Sequence, residues 1–181
     1  MQEEEKNTWC YTDKNGNVEA VLGLKREQLL YDIRNYAYIE GHVMQTDNVH
    51  QQHTVQDVGE EGNVDRVTRV LDLAVAQCKE LLYPYTKNEI STHELDDILK
   101  EQDSYGIVLS LPASFSQTTL NLLEKLIHEY IVDYAVADWM SITNPAKAET
   151  WAAKAVDMES QIRVALVSRN GRVRRRLSVF P

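Results

Sequence analysis

From Ser116 to Ile142 the chain runs for 27 residues with apolar side chains spread beyond one narrow stripe: Leu120, Leu123, Leu126, Ile127, Tyr130, Ile131 and Tyr134. At about 1.5 Å per residue this is a helix roughly 40 Å long. So broad an apolar surface predicts a central element that touches neighbours on several sides. The run stops at Asn144-Pro145, where Asn suits a cap and Pro suits the first helical position because its missing amide is not needed there. A second helix follows to about Val167, with Trp151, Ala155, Met158, Ile162 and Ala165 on one stripe. A two- or three-residue connection predicts that these two helices form an antiparallel hairpin.

The remainder reads as shorter elements. Thr8–Thr12 and Val18–Leu22 are β-compatible runs flanking Asn15-Gly16, a dipeptide suited to a tight hairpin turn, so residues 1–23 are expected to be a β-hairpin or extended arm. From Lys25, apolar residues recur at helical spacing through Leu29, Leu30, Ile33, Tyr36, Ala37, Val43 and Met44. Gly41 weakens the last turns of that helix. Residues 45–63 are polar and read as a long loop. Asn63 is a plausible cap for a helix to about Leu82, which Pro84 ends. A short helix from Ser91 to about Gln102 and a strand over Tyr105–Leu111, stopped by Pro112, complete the series. The fold class expected is mainly α: a helical bundle with a long antiparallel hairpin and a minor β element. It divides into an arm (1–23), a helical domain (24–168) and a basic tail (169–181).

The tail carries the second strong signal. Arg169, Arg172, Arg174, Arg175 and Arg176 are half of the ten arginines, no acid accompanies them, and the chain then ends in Leu177-Ser178-Val179-Phe180-Pro181. The 19 Lys and Arg of the chain stand against 28 Asp and Glu. Since five of the cations belong to the tail, residues 1–168 hold fourteen against all 28 acids. A body this acidic repels nucleic acid at long range, so only the tail is suited to phosphate. No apolar run approaches the roughly 18 residues of a membrane span. The amino terminus, Met1-Gln2-Glu3-Glu4-Glu5, is the reverse of a secretory signal. Cys10 and Cys78 lack metal-ligand spacing and are expected as free thiols in a reducing, intracellular setting.

Catalytic patterns are missing from the sequence. His50 and His53, with His42 nearby, form the best metal candidate, but no second pair of matching spacing exists and an exposed pair is expected. Glu124 and His128 are four apart, not the three of a carboxylate-bridged metal helix, and are expected on a solvated face. No nucleophile elbow, phosphate loop or dinucleotide fingerprint occurs among the seven glycines. Cys78 belongs to an apolar face and reads as core. Asp96-Asp97 and Glu60-Glu61 read as surface charge. Asp133 and Asp138 lie in the most apolar helix, where they need exposure or a partner such as an arginine of another helix or subunit. Neither enzyme activity nor a cofactor or metal is expected. Nine tyrosines and three tryptophans leave room for an association surface, with Trp9 and Tyr11 as possible interface residues.

The segments "YGIVLSLPASFSQ", "LIHEYIVDYAVADWMSITNP" and "AETWAAKAVDMESQIRVALVSR" resemble small helical virion proteins of Bacteroides-type tailed phages and prophages. In particular they look like head–tail connector, or ring adaptor, proteins, including those of crAss-like phages; the similar region is about residues 64–176. The resemblance implies a structural virion protein at the head–tail interface, assembled in the host cytoplasm. It also implies a ring, commonly of twelve copies, beneath the portal protein and next to further tail or ring proteins, with DNA passing through. Such adaptors have no catalytic residues to carry over. On this reading the tail is a docking arm. Its arginines supply charge-assisted hydrogen bonds, while Leu177, Val179 and Phe180 act as apolar anchor. Asn170-Gly171 is a stop that releases the arm from the last helix. A tail-completion or stopper ring, or a nucleic-acid-binding accessory protein using the arginine tail, are the alternatives.

Overall fold

The computed structural model describes residues 8–12, 17–44, 46, 48–83, 85–86, 102–112 and 115–167. In chain order these form strands β1 (Thr8–Thr12) and β2 (Asn17–Lys25), and helices α1 (Arg26–Val43) and α2 (Val49–Gln56). A 3-10 turn (Asp57–Gly59), helix α3 (Glu61–Leu81) and strand β3 (Ser104–Pro112) come next, then helices α4 (Gln117–Thr143) and α5 (Pro145–Val167). The fold is mainly helical, with a packed α4–α5 pair and a small antiparallel sheet, as the apolar pattern predicted.

The sheet has the order β1-β2-β3. Val21 stands opposite Val108, and Leu22 opposite Ile107. Burial alternates along β3, with Tyr105, Ile107, Leu109 and Leu111 turned inward. On β2 the inward residues are Ala20, Leu22 and Leu24. This period of two is what a strand with one covered face requires, and the inner face closes onto α1. The core therefore draws on β2 residues to both sides of residue 23. The Asn15-Gly16 turn and the expected helix from Ser91 lie outside the described residues, apart from Gln102.

Helix α4 is the axis. Leu123, Ile127, Ile131, Val136 and Met140 are fully buried, and Leu120, Tyr130, Val132, Ala135 and Trp139 nearly so. Its neighbours surround it. Asn144 alone separates α4 from α5: its amide donates to the Met140 carbonyl at 2.8 Å, and its own carbonyl accepts from the Lys147 amide at 2.9 Å. The reversal is thus tight, and α5 lies antiparallel against α4 through Trp151, Ala155, Ile162, Ala165 and Leu166. Helix α3 is also antiparallel to α4, tied by Arg66 to Asp138 near one end and by Gln77 to Tyr130 further along. Helix α1 runs parallel to α4.

Two expectations are corrected. Residues 45–63 are not a continuous loop: they hold α2 and the 3-10 turn. Asn48 caps α2, its side-chain oxygen accepting from the His50 amide at 3.1 Å. The segment looked like a loop because α2 buries only Val55, so its apolar periodicity is absent. What fixes it is tertiary: the buried Trp139 indole donates to the Val55 carbonyl at 2.8 Å. Secondly, α3 begins at Glu61, two residues before Asn63. Asn63 instead lies in the first turn, and its side-chain amide donates to the Asp57 carbonyl at 2.8 Å, joining α3 to the preceding 3-10 turn.

Gly41 weakens the propensity of α1 but answers a packing need. A Cβ there would meet the Gln52 carbonyl oxygen at 2.9 Å and Gln56 Cγ at 2.7 Å. Helix α2 thus crosses α1 at a distance only glycine permits. On propensity alone, Gly41→Ala should gain about 1 kcal/mol. The overlap with α2 backbone costs about 1–3 kcal/mol and outweighs it. Gly41→Ala is therefore expected to lower the melting temperature by a few degrees in a calorimetric scan; an unchanged or raised value would contradict this close crossing.

Candidate functional site

The residues singled out in the sequence fall in three places. Arg169, Arg172, Arg174, Arg175, Arg176, Leu177, Val179 and Phe180 lie outside the described residues. Trp9 and Tyr11 sit on β1, paired in register with Val21 and Glu19 of β2. His50 and His53 are on the exposed side of α2. Among the described residues no group of three or more His, Cys, Asp or Glu is placed to hold a metal ion. No described helix is long and apolar enough to cross a membrane.

Two polar constellations that sequence reading missed lie against α4. In the first, His128 Nε2 lies 2.8 Å from Asp32 Oδ2 on α1. The Gln28 side-chain amide donates to both Asp32 oxygens at 3.1 Å. His128 is half-buried, not on a freely solvated face. A cleft of about 500 Å³ opens beside the pair, lined also by Lys25, Glu124, Lys125 and Glu129. An Asp–His pair becomes catalytic by activating a neighbouring nucleophile. Among the described residues the cleft lining holds the amines of Lys25 and Lys125 but no hydroxyl or thiol, and the Asp32–His128 contact ties α1 to α4. The Gln28–Asp32 spacing was legible as a helix-face pair, whereas a contact between positions 32 and 128 leaves no trace in local periodicity.

The second constellation joins α1, α4 and α5. Trp151 Nε1 donates to Glu40 Oε1 at 3.1 Å, and Lys147 Nζ lies 3.5 Å from Glu40 Oε2. The Tyr36 ring packs on Trp151 with centroids 5.0 Å apart. Lys154 Nζ sits 3.4 Å above the same indole, a cation–π arrangement. Asp133 of α4 is buried nearby. Burial lifts its pKa from 3.8 to about 6, opposed by Lys154 and assisted by Glu129. Burial also raises the Tyr36 phenol, with Glu129, Asp133 and Asp32 adding to the effect.

Asp138, the other carboxylate of the apolar helix, has the partner its position demanded. Arg66 of α3 donates through Nε and Nη2 at 2.9–3.2 Å, a two-pronged contact. Both side chains retain solvent contact, so the pair adds at most about 1 kcal/mol and mainly fixes register. Cys78 is fully buried on α3. Its thiol is pushed up to about 12 by burial first and by Glu159 second, so it stays protonated at neutral pH.

A third feature is a surface groove of about 490 Å³ between α1 and the turn preceding α3, lined by Tyr31, Arg34, Asn35, Tyr38, Asp57 and Glu60 among others. Tyr31 and Tyr38 are 64% and 58% exposed, high values for rings of this size. Arg34 Nη2 donates to the Gly59 carbonyl at 3.2 Å, and its stem packs directly over that glycine.

The Asp133 shift has a testable consequence. A carboxyl with a folded pKa above its unfolded value favours folding while it is protonated. That stability is fully present below pH 3.8 and is lost as the pH rises through about 6. The change is on the order of 3 kcal/mol. Relative to the parent protein, Asp133→Asn is expected to be isostable near pH 4 and more stable by roughly 1–3 kcal/mol at pH 8, measured by urea unfolding. A difference that does not change with pH would contradict the buried carboxyl.

Comparison with protein-family models, with curated proteins and with solved structures finds no match, so the functional reading rests on the residues themselves.

Proposed function

We propose that this chain is a structural subunit of a phage head–tail connector, an adaptor that assembles into a ring between the portal vertex and the tail and leaves a passage for DNA. The observation that carries the reading is the one-sided burial of helix α5 in the α4–α5 hairpin. Helix α5 buries a single stripe, and its outer flank leaves Val156 and Val164 61% and 65% exposed beside the small side chains of Ala146, Ala152 and Ala153. Exposed valines eight residues apart, beside alanines, suit close helix contact with a copy of the same chain. A rigid hairpin packed side by side in this way generates a closed ring when each copy offers two different complementary patches.

The charge pattern supports the same reading. A subunit whose body is strongly acidic resists sticking to DNA in transit, while the arginine tail is free to seek acidic protein surface. The tail is the docking arm in this proposal, directed at the portal or at an adjacent ring. A nucleic-acid-binding role for the same arginines predicts a steep fall of DNA affinity with salt, and the adaptor reading predicts only weak binding.

Light scattering on the purified full-length protein, alone and mixed with a portal protein, tests the proposal. A mass of several subunits is expected in at least one of the two conditions. Val156→Glu with Val164→Glu should return the mass to that of a monomer while leaving the helical circular dichroism unchanged. A protein that stays monomeric in both conditions would overturn the ring assignment.

A further inference from the structure

Two described clefts combine tyrosine rings with carboxylates: the groove on α1, and one lined by Tyr130, Tyr134, Glu80 and Glu159, in which Glu159 is already paired with Arg163 at 2.8 Å. The groove on α1 carries at its rim the carboxylates of Asp57 and Glu60, and Glu61 follows on the exposed first turn of α3. Its walls are the rings of Tyr31 and Tyr38 and the stem of Arg34, whose guanidinium is turned to the Gly59 carbonyl. Among the described residues, the Asp57, Glu60 and Glu61 carboxylates take part in no ion pair. The groove therefore offers aromatic faces inside an acidic rim. The segment Arg169–Pro181 offers the complement: five arginines followed by Leu177, Val179 and Phe180. Guanidinium groups stack on tyrosine rings as well as pairing with carboxylates, and a short apolar end fills space between rings.

Position favours a neighbour as the source of that segment. Tyr36 and Glu40, on one flank of α1, meet Trp151 of α5. Tyr31, Arg34 and Tyr38 lie on the opposite flank, facing the turn before α3. A tail leaving α5 after Val167 would have to pass around α1 to reach the groove of its own subunit. The fourteen residues from Ser168 to Pro181 span at most about 50 Å when extended, long enough to extend beyond their own subunit. We infer that the Tyr31–Tyr38 groove is the receptor for the arginine-rich carboxy-terminal segment of a second copy of this chain. The contact is heterologous, with groove and tail being different surfaces, and so propagates from copy to copy. The inference rests on the docking-arm reading of the tail and places its partner in a neighbouring copy of this chain instead of the portal or an adjacent ring.

Three full-length variants and one peptide test it. Asp57→Lys with Glu60→Lys disables the groove, Arg174→Ser with Arg175→Ser and Arg176→Ser disables the tail, and Tyr38→Ala removes one ring. A synthetic peptide of residues 168–181 should bind the tail-disabled protein, at least tenfold more weakly when the groove is also disabled, and more weakly with Tyr38→Ala. In sedimentation velocity, either disabled protein alone should lose mass relative to the parent. An equimolar mixture of the two should regain a dimer, because each pair keeps one intact groove and one intact tail. Peptide binding indifferent to the groove substitutions, or no peptide binding, would overturn the inference. Peptide binding with a parent protein that is monomeric would place the contact within one subunit and overturn the second-copy claim. The two proposals fail separately: substitutions at Val156 and Val164 that reduce mass while groove substitutions do not would sink the groove and leave the ring.

Discussion

Everything else in this fold is arranged by the burial of the middle of one 27-residue helix, from Leu123 to Met140. Few positions of α4 reach solvent freely between Leu123 and Met140, so other elements must cover it on several sides. Apolar contact supplies most of the driving force, at roughly 25 cal/mol for each Å² removed from water. Such contact is non-directional and does not choose a register. The register is set by polar ties from α4 to three neighbours: His128 to Asp32 of α1, Trp139 to the Val55 carbonyl of α2, and Asp138 to Arg66 and Tyr130 to Gln77 of α3. The fourth neighbour, α5, needs none of these because the single residue Asn144 already fixes its starting point. Buried or half-buried polar contacts of this kind discriminate between near-equal packings more than they add stability.

This division explains what could be read from the chain beforehand. The α4–α5 hairpin was legible because its signals are local: a broad apolar run, then Asn144-Pro145, then a stripe at helical spacing. Strand β3 was legible through the alternation of Tyr105, Ile107, Leu109 and Leu111. Helix α2 was not, since His50-Gln51-Gln52-His53-Thr54 has no apolar face and its place depends on Trp139, over eighty residues away. Gly41 was read as a weak point of a helix, when its lack of a side chain is what lets α2 approach. His128 was read as solvated because nothing near it in sequence announces Asp32. Of the candidate site, the tail was legible as composition. The groove that matches it was not, because Tyr31 and Tyr38 acquire a common wall with Asp57 and Glu60 only after α1 has folded against the turn that precedes α3.

The same arrangement leaves two surfaces that the monomer does not use. The outer flank of α5 exposes Val156 and Val164 among alanines and polar side chains such as Glu149, Asp157 and Ser160; the α1 groove is aromatic and acid-rimmed. They lie on different elements, and a ring of copies requires two different surfaces where a simple dimer does not. In the ring proposed for this chain, the acidic body and the cationic tail would give the association a sign as well as a shape. The Asp32–His128 pair ties α1 to α4 beside a cleft lined by Lys25 and Lys125, and the Cys78 thiol is buried and protonated.

The most direct test of this account is native-state amide hydrogen exchange along the full-length chain. If α4 is the axis on which the other elements depend, amides from Leu123 to Met140 exchange only through global unfolding and are the slowest in the protein. Helix α2, held chiefly by Val55 and the Trp139 indole, opens at a lower free energy. Exchange in the middle of α4 as fast as in α2 would contradict the central place given to it.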